Sequence, residues 1–259
     1  MDEIKEIREE EIGLIMGETG FQRDLIIKDF FITVILYLIR NVKGAYFKGG
    51  TAMQKTFLGY SRISEDIDFT IERDLKNVKK EIIGILNKSG YFGKISKDKE
   101  VTLFTRLVVP YNTKIGKGEI FIDLNEKAKL LESPELNNLN HLYSTIPEFS
   151  LLCLAKKEMI AEKISAAIGR NKPRDHYDIY QIIKHNLPID MKLVKQKCES
   201  SGNDPSISRM FNKAKKLHKR WNEDMIPLIA EQVSFQEVIK TLAGYFHLKE
   251  EKDKLKDNK

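Results

Sequence analysis

The chain has 259 residues, 41% of them hydrophobic and 32% charged, which is enough to bury one large core or two modest ones and lacks the marks of a disordered, collagen-like or disulfide-stapled protein. A formal charge of +6 permits contact with nucleic-acid phosphates without requiring it. Cys153 and Cys198 stand in no metal-ligand spacing, so a reducing, cytoplasmic setting is expected.

The N-terminus, MDEIKEIREEEIG, is acidic and has no apolar core followed by a cleavage site, so no signal peptide is expected. Apolar spacing predicts helices over 2–16 and 21–40, parted by Gly17 and Gly20. The run from Phe30 to Ile39 is too short to span a bilayer and follows Arg23, Asp24, Lys28 and Asp29, so a buried helix and no membrane partner are expected. Residues 45–48 read as a strand ending at Gly49-Gly50. A helix over 51–58 follows, closed by Gly59, then a strand over 63–71 and an amphipathic helix over 74–89. Residues 101–110 and 119–124 read as a hairpin with Gly116 and Gly118 in its turn. After Pro147 the strand signal fades, and helices are expected near 155–169, 174–185, 190–200, 205–220 and 233–247. The layout is a mixed α/β domain over 1–150, a helical domain over 151–248 and a flexible tail over 249–259.

Within the strand over 63–71, Asp66 and Asp68 are two residues apart and share a face with Ser64, while Ile67 and Phe69 point to the core. Asp123 lies in the apolar run IFIDL, on the face of Phe121 and opposite to Ile122 and Leu124. Three carboxylates on neighbouring strands form a hard oxygen site suited to Mg²⁺. Two such ions would activate an attacking hydroxyl and neutralise a pyrophosphate leaving group. Taken alone, the acidic pair reads as turn caps or surface ion pairs.

The preceding segment adds an anion cradle. A glycine pair at 49–50 lets backbone approach a phosphate closely, and the amides of a helix starting at Thr51, with the helix dipole behind them, attract anions. Lys55, one turn on, either joins that cradle or covers the helix surface.

These residues resemble the nucleotidyltransferase superfamily with the polymerase-β-like core, and within it the AbiEii, AbiGii and MenT type toxins of toxin–antitoxin systems. The resemblance rests on GGTA at 49–52, Arg62 with SEDIDF at 64–69, IDL at 122–124, and EMIAEKISAAIGRNKPRDHYDIYQI at 158–182; it covers roughly 45–185. It implies a nucleotidyltransferase-like mixed sheet flanked by helices, with the helical half completing the nucleotide cleft. It implies that Gly49, Gly50, Thr51 and Ser64 hold the triphosphate and that Asp66, Asp68 and Asp123 bind metal. It further implies that Lys163 and Arg170 face the nucleotide phosphates, and that Asp175 or Asp178 supplies an acidic position. Read without the family, the block over 158–182 either offers positive charge to a triphosphate from among Lys163, Arg170 and Arg174 or is a salt-bridged helix pair.

The expected function is a Mg²⁺-dependent transfer of a nucleoside monophosphate from an NTP to an acceptor hydroxyl. For toxin-like members the resemblance implies tRNA or another RNA as acceptor and a cognate antitoxin as partner. A small-molecule or protein acceptor, or a nucleotide- or nucleic-acid-binding module without turnover, are the alternatives. Lys213, Lys215, Lys216, Lys219 and Arg220 read as a solvated face or as a phosphate-contacting one. The five histidines form no zinc pattern, and His176 reads as a helix-surface residue. Tyr177 and Tyr180 read as helix packing.

Overall fold

A computed structural model describes residues 4–127 and 129–248, so the expected tail over 249–259 lies outside the described residues. The chain divides into two compact units after Ala155.

The first unit opens with α1 (Glu9–Thr19) and α2 (Arg23–Ile39). α1 starts later than its apolar spacing suggests and runs through Gly17, ending where Gly20 takes a left-handed cap at φ 73°. In α2 apolar residues surround the axis, and twelve residues from Ile26 to Ile39 are buried. Among the described residues no helix is long and apolar enough to cross a membrane.

Next come β1 (Ala45–Lys48), α3 (Gly49–Thr56), β2 (Asp66–Ile71) and α4 (Leu75–Ser89), the last capped by the Asp74 side chain, which accepts from the Asn77 amide. β3 (Ser96–Val101), β4 (Phe104–Thr113), β5 (Gly116–Asn125), β6 (Glu135–Asn138) and β7 (Ser150–Cys153) complete a seven-stranded sheet in the order β3-β4-β5-β2-β1-β7-β6. β2 runs parallel to β5 and β1 runs parallel to β7, so the sheet is mixed.

One face of this sheet is apolar. Ile67 and Phe69 of β2, Ile120, Ile122 and Leu124 of β5, Leu107 and Val109 of β4 and Phe47 of β1 are all buried, and α2 and α4 pack against β5. The other face carries the polar members of the same strands.

The hairpin is longer than expected, with its turn at Lys114 and Ile115, and Gly116 and Gly118 lie inside β5. Gly118 is opposite Tyr111, whose hydroxyl would be 2.5 Å from an added Cβ, so the glycine makes room for a cross-strand ring rather than for a turn. β3, β6 and β7 went unread: β3 is exposed at every position and does not alternate, and β6 and β7 are four residues each.

The second unit is helical: α5 (Lys156–Arg170), α6 (Pro173–Lys184), α7 (Met191–Ser200), α8 (Ala214–Met225) and α9 (Phe235–Tyr245). α6 packs against α5, α8 and α9, with Tyr180 donating to Glu237 at 2.6 Å. The helix expected over 205–220 is split. A 3-10 turn over Ile207–Phe211 precedes α8, and the Met210 carbonyl, which a continuous helix would turn toward Ala214, lies 2.9 Å from His176 Nε2. The other ring nitrogen of His176 is 3.0 Å from the Lys172 carbonyl and the residue is fully buried, so His176 is an internal staple and not a surface residue.

Candidate active site

Strand register determines which side chains meet on the polar face. Lys48 of β1 is opposite Asp68 of β2, Asp68 is opposite Asp123 of β5, and Asp123 is opposite Arg106 of β4. Residues in register point to the same side, and neighbouring strands lie about 4.8 Å apart. Four strands therefore present a single row of charges, positive, negative, negative, positive. Asp66, two residues before Asp68, stands on the same face opposite Phe121. Ile67, Ile122 and Leu124 point to the core, as the two-residue period predicts.

Asp123 is engaged from its outer side. Arg106 Nε and Nη2 each donate to one of its carboxylate oxygens at 2.7 Å, and the guanidinium carbon lies 5.4 Å from the Phe121 ring centre. The hydrogen bonds that Arg106 donates to Asp123, partly countered by burial, raise the Arg106 pKa further above its usual range. Arg106 was not singled out from sequence, although a lone basic residue in the apolar run 104–109, at the parity facing Asp123, was a readable signal. Lys48 reads from sequence only as the last residue of the strand over 45–48.

The glycine pair sits against this row. Gly49 has φ +80°, and a Cβ there would be 2.3 Å from Asp68 Oδ2. A Cβ on Gly50 would be 2.7 Å from Arg62 Nη2 and 3.0 Å from Ser64 Oγ. A side chain at either position would have to displace Asp68 or the Arg62 guanidinium, and the lack of one brings the start of α3 close to Asp68, Arg62 and Ser64. Arg62 is buried and donates to the Ile63 carbonyl at 2.9 Å. Thr51 is buried as well, and its hydroxyl donates to the Asp66 carbonyl, tying the start of α3 to the start of β2.

Lys55 does not join the cradle. It is 1% exposed, and its ammonium donates to Asp29 Oδ1 at 2.8 Å and to Thr33 Oγ1 at 2.9 Å. Tyr60 and Tyr143 donate to Asp29 Oδ2 at 3.0 and 2.9 Å. This buried cluster anchors α3 to α2, so both alternatives for Lys55, phosphate ligand and helix surface, give way to an internal ion pair. Tyr60 holds a left-handed φ of 60°, and its hydroxyl is fixed by the same carboxylate.

Asp66 and Asp68 are hard oxygen donors on one face, the partial set that Mg²⁺ takes when water and phosphate complete its shell. Among the described residues no three acidic, His or Cys side chains converge into a closed cage, and Asp123 is drawn toward Arg106. The donor chemistry fits a divalent ion shared with a ligand better than an all-protein site.

The second unit holds a buried charge cluster of its own. Lys163 on α5 lies 2.8 Å from Asp178 and 3.3 Å from Asp175 of α6, and Arg170 donates to both oxygens of Asp175 at 2.8 Å. Burial alone would raise the Asp175 pKa, but Lys163 and Arg170 hold it well below the usual carboxylate range. Both aspartates thus meet Lys163. Lys197 of α7 forms a further cluster with Glu158 and Glu162 of α5. Tyr177 and Tyr180 pack with ring centres 6.2 Å apart.

The mixed sheet and flanking helices define a nucleotidyltransferase fold, and solved structures share it. MenT4, a nucleotidyltransferase toxin of Mycobacterium tuberculosis, is 19% identical with a TM-score of 0.63, covering 92% of this chain and 99% of its own. JHP933 of Helicobacter pylori is 18% identical with a TM-score of 0.59, covering 92% and 98%. A further H. pylori crystal structure, of a protein named as a nucleotidyltransferase, is 19% identical with a TM-score of 0.60, covering 92% and 99%. No curated protein matches the sequence. The model of the nucleotidyl transferase AbiEii toxin family, of type IV toxin–antitoxin systems, matches residues 42–241, and the chain belongs to that family.

Proposed function

We propose that the protein transfers a nucleoside monophosphate from an NTP to a hydroxyl of an RNA acceptor, tRNA foremost, with Mg²⁺, as a cytoplasmic toxin opposed by a cognate antitoxin. The observation that carries this reading is the charge row Lys48–Asp68–Asp123–Arg106 beside the side-chain-free backbone of Gly49 and Gly50. Gly49, Gly50, the first amides of α3 and Ser64 cradle the triphosphate. Asp66 and Asp68 hold the metal, two ions when the site is full, and Asp123 is the third carboxylate, its charge shared with Arg106.

Bound metal supplies charge neutralisation on the triphosphate and a more acidic acceptor hydroxyl. The acceptor oxygen bonds to the α-phosphorus while the bond from that phosphorus to its bridging oxygen breaks. Pyrophosphate leaves with the electron pair, and a carboxylate of the row takes the hydroxyl proton. Lys163, Asp175, Asp178 and Arg170 are the second unit's candidates for a share in the reaction.

The test incubates the full chain with each labelled NTP, Mg²⁺ and total tRNA, beside Asp66→Ala and Lys163→Met. Label is expected on RNA with wild type only, and rates at least about 10³-fold lower with Asp66→Ala. Label on protein or on a small acceptor would move the reading to that acceptor class. Nucleotide binding with no transfer anywhere would overturn it.

A further inference from the structure

The basic stretch around α8 has no part in the site described above. Between Pro205 and Asn222 the chain carries Arg209, Lys213, Lys215, Lys216, Lys219 and Arg220 and no acidic residue. Leu217, Trp221 and Met225 form the buried stripe of α8, and Lys215, Lys216 and Lys219 stand exposed on the opposite side. Arg209 and Arg220 are paired with Asp204 and Asp224. Lys213, Lys215, Lys216 and Lys219 have no ion pair among the described residues.

Two features of this arrangement work against the folded protein. Lys219 repels Lys215 and Lys216, at the four- and three-residue spacings that bring helix side chains together. The lysines also crowd the first half of α8, where the positive end of the helix dipole disfavours cations. A polyanion laid along this face offsets both. The charges run along a surface and do not converge on a pocket, which suits a phosphate backbone and not a compact anion. Lysines on flexible stems meet such a backbone as point charges without reading its bases. The platform beneath is firm, since α8 packs on α6 and Trp221 donates to the Val233 carbonyl at 2.9 Å.

We infer that the exposed lysine face of α8 binds the sugar–phosphate backbone of the RNA acceptor. This rests on the proposed RNA-directed transfer for the identity of the polyanion. The test compares wild type with the triple variant Lys215→Gln, Lys216→Gln, Lys219→Gln, and with the three Lys→Arg changes as the charge-retaining control. Affinity for labelled total tRNA is read by anisotropy between about 50 and about 300 mM salt.

The Gln variant is expected to bind at least about tenfold more weakly at low salt. Its slope of log affinity against log salt should be shallower by about 2, and the Arg control should restore both. Unchanged affinity and slope would overturn the inference, as would lysine-dependent binding to phosphatidylserine vesicles without binding to tRNA. Asp66→Ala separates the two ideas, because it removes transfer and leaves RNA binding intact. If wild type transfers nothing yet shows lysine-dependent tRNA binding, the transfer reading fails and this one stands. If RNA is modified and the Gln variant binds it as tightly as wild type, the reverse holds.

Discussion

The ammonium of Lys55 and the carboxylate of Asp29 are 1% and 2% exposed, and each is the other's main electrostatic partner. Burial pulls the Lys55 pKa below its ordinary value, while the charge and hydrogen bond of Asp29 push back. Removing one partner strands the other, so Lys55→Met is expected to lower stability by about 3–5 kcal/mol in urea unfolding. Adding Asp29→Asn should recover part of that loss, and additive losses would show that the pair is not coupled. A different carboxylate governs acid behaviour. Asp175 holds a depressed pKa in the fold, so over the range between that value and the ordinary carboxylate one the unfolded chain binds more protons, and its stabilisation is present above about pH 4 and fades below it. Asp175→Asn should therefore flatten the fall in urea midpoint below about pH 4; an unchanged acid limb would refute this. The sequence made the shared face of Asp66, Asp68 and Asp123 legible because strand parity is a local rule. The inward turn of Lys55 was not legible, because the direction of one side chain on a two-turn helix depends on what α2 brings beneath it.

At the scale of elements, the turn from β1 into α3 is set by two residues that have no side chain. Gly49→Ala must tolerate φ +80°, at about 1–2 kcal/mol, and must also push Asp68 aside. It is expected to weaken Mn²⁺ binding by titration calorimetry together with stability, and a variant with wild-type Mn²⁺ affinity would contradict the place given to Asp68. Gly50→Ala meets the buried guanidinium of Arg62 and should cost stability first. Helices announced themselves where an apolar stripe was long, as in α4, α5 and α6. The interruption before α8 was invisible because it is made by His176, more than thirty residues earlier, whose ring occupies the Met210 carbonyl. β3 hid for the opposite reason: an edge strand with polar residues on both faces has no period to read, and its lysines at 97 and 99 also discourage pairing with another chain.

Across the whole molecule, membership in a toxin family predicts a cellular outcome. Induced expression of the wild-type chain is expected to arrest growth, while Asp66→Ala, at equal protein level, should not; arrest by both would separate toxicity from transfer. The sheet order adds a temporal constraint. β2, which carries Asp66 and Asp68, meets its parallel neighbour β5 only after α4, β3 and β4 have been made, and β1 meets β7 only when Cys153 has been reached. Such distant pairings are slow to close. At a synthesis rate of roughly 5–20 residues per second, the strand holding the acidic pair waits on the order of ten seconds after leaving the ribosome before the sheet around it is complete. A nascent chain thus carries the glycine and aspartate motif long before it has β5, the parallel neighbour that brings Asp123 beside Asp68. The delay between translation and chemistry is written into the strand order.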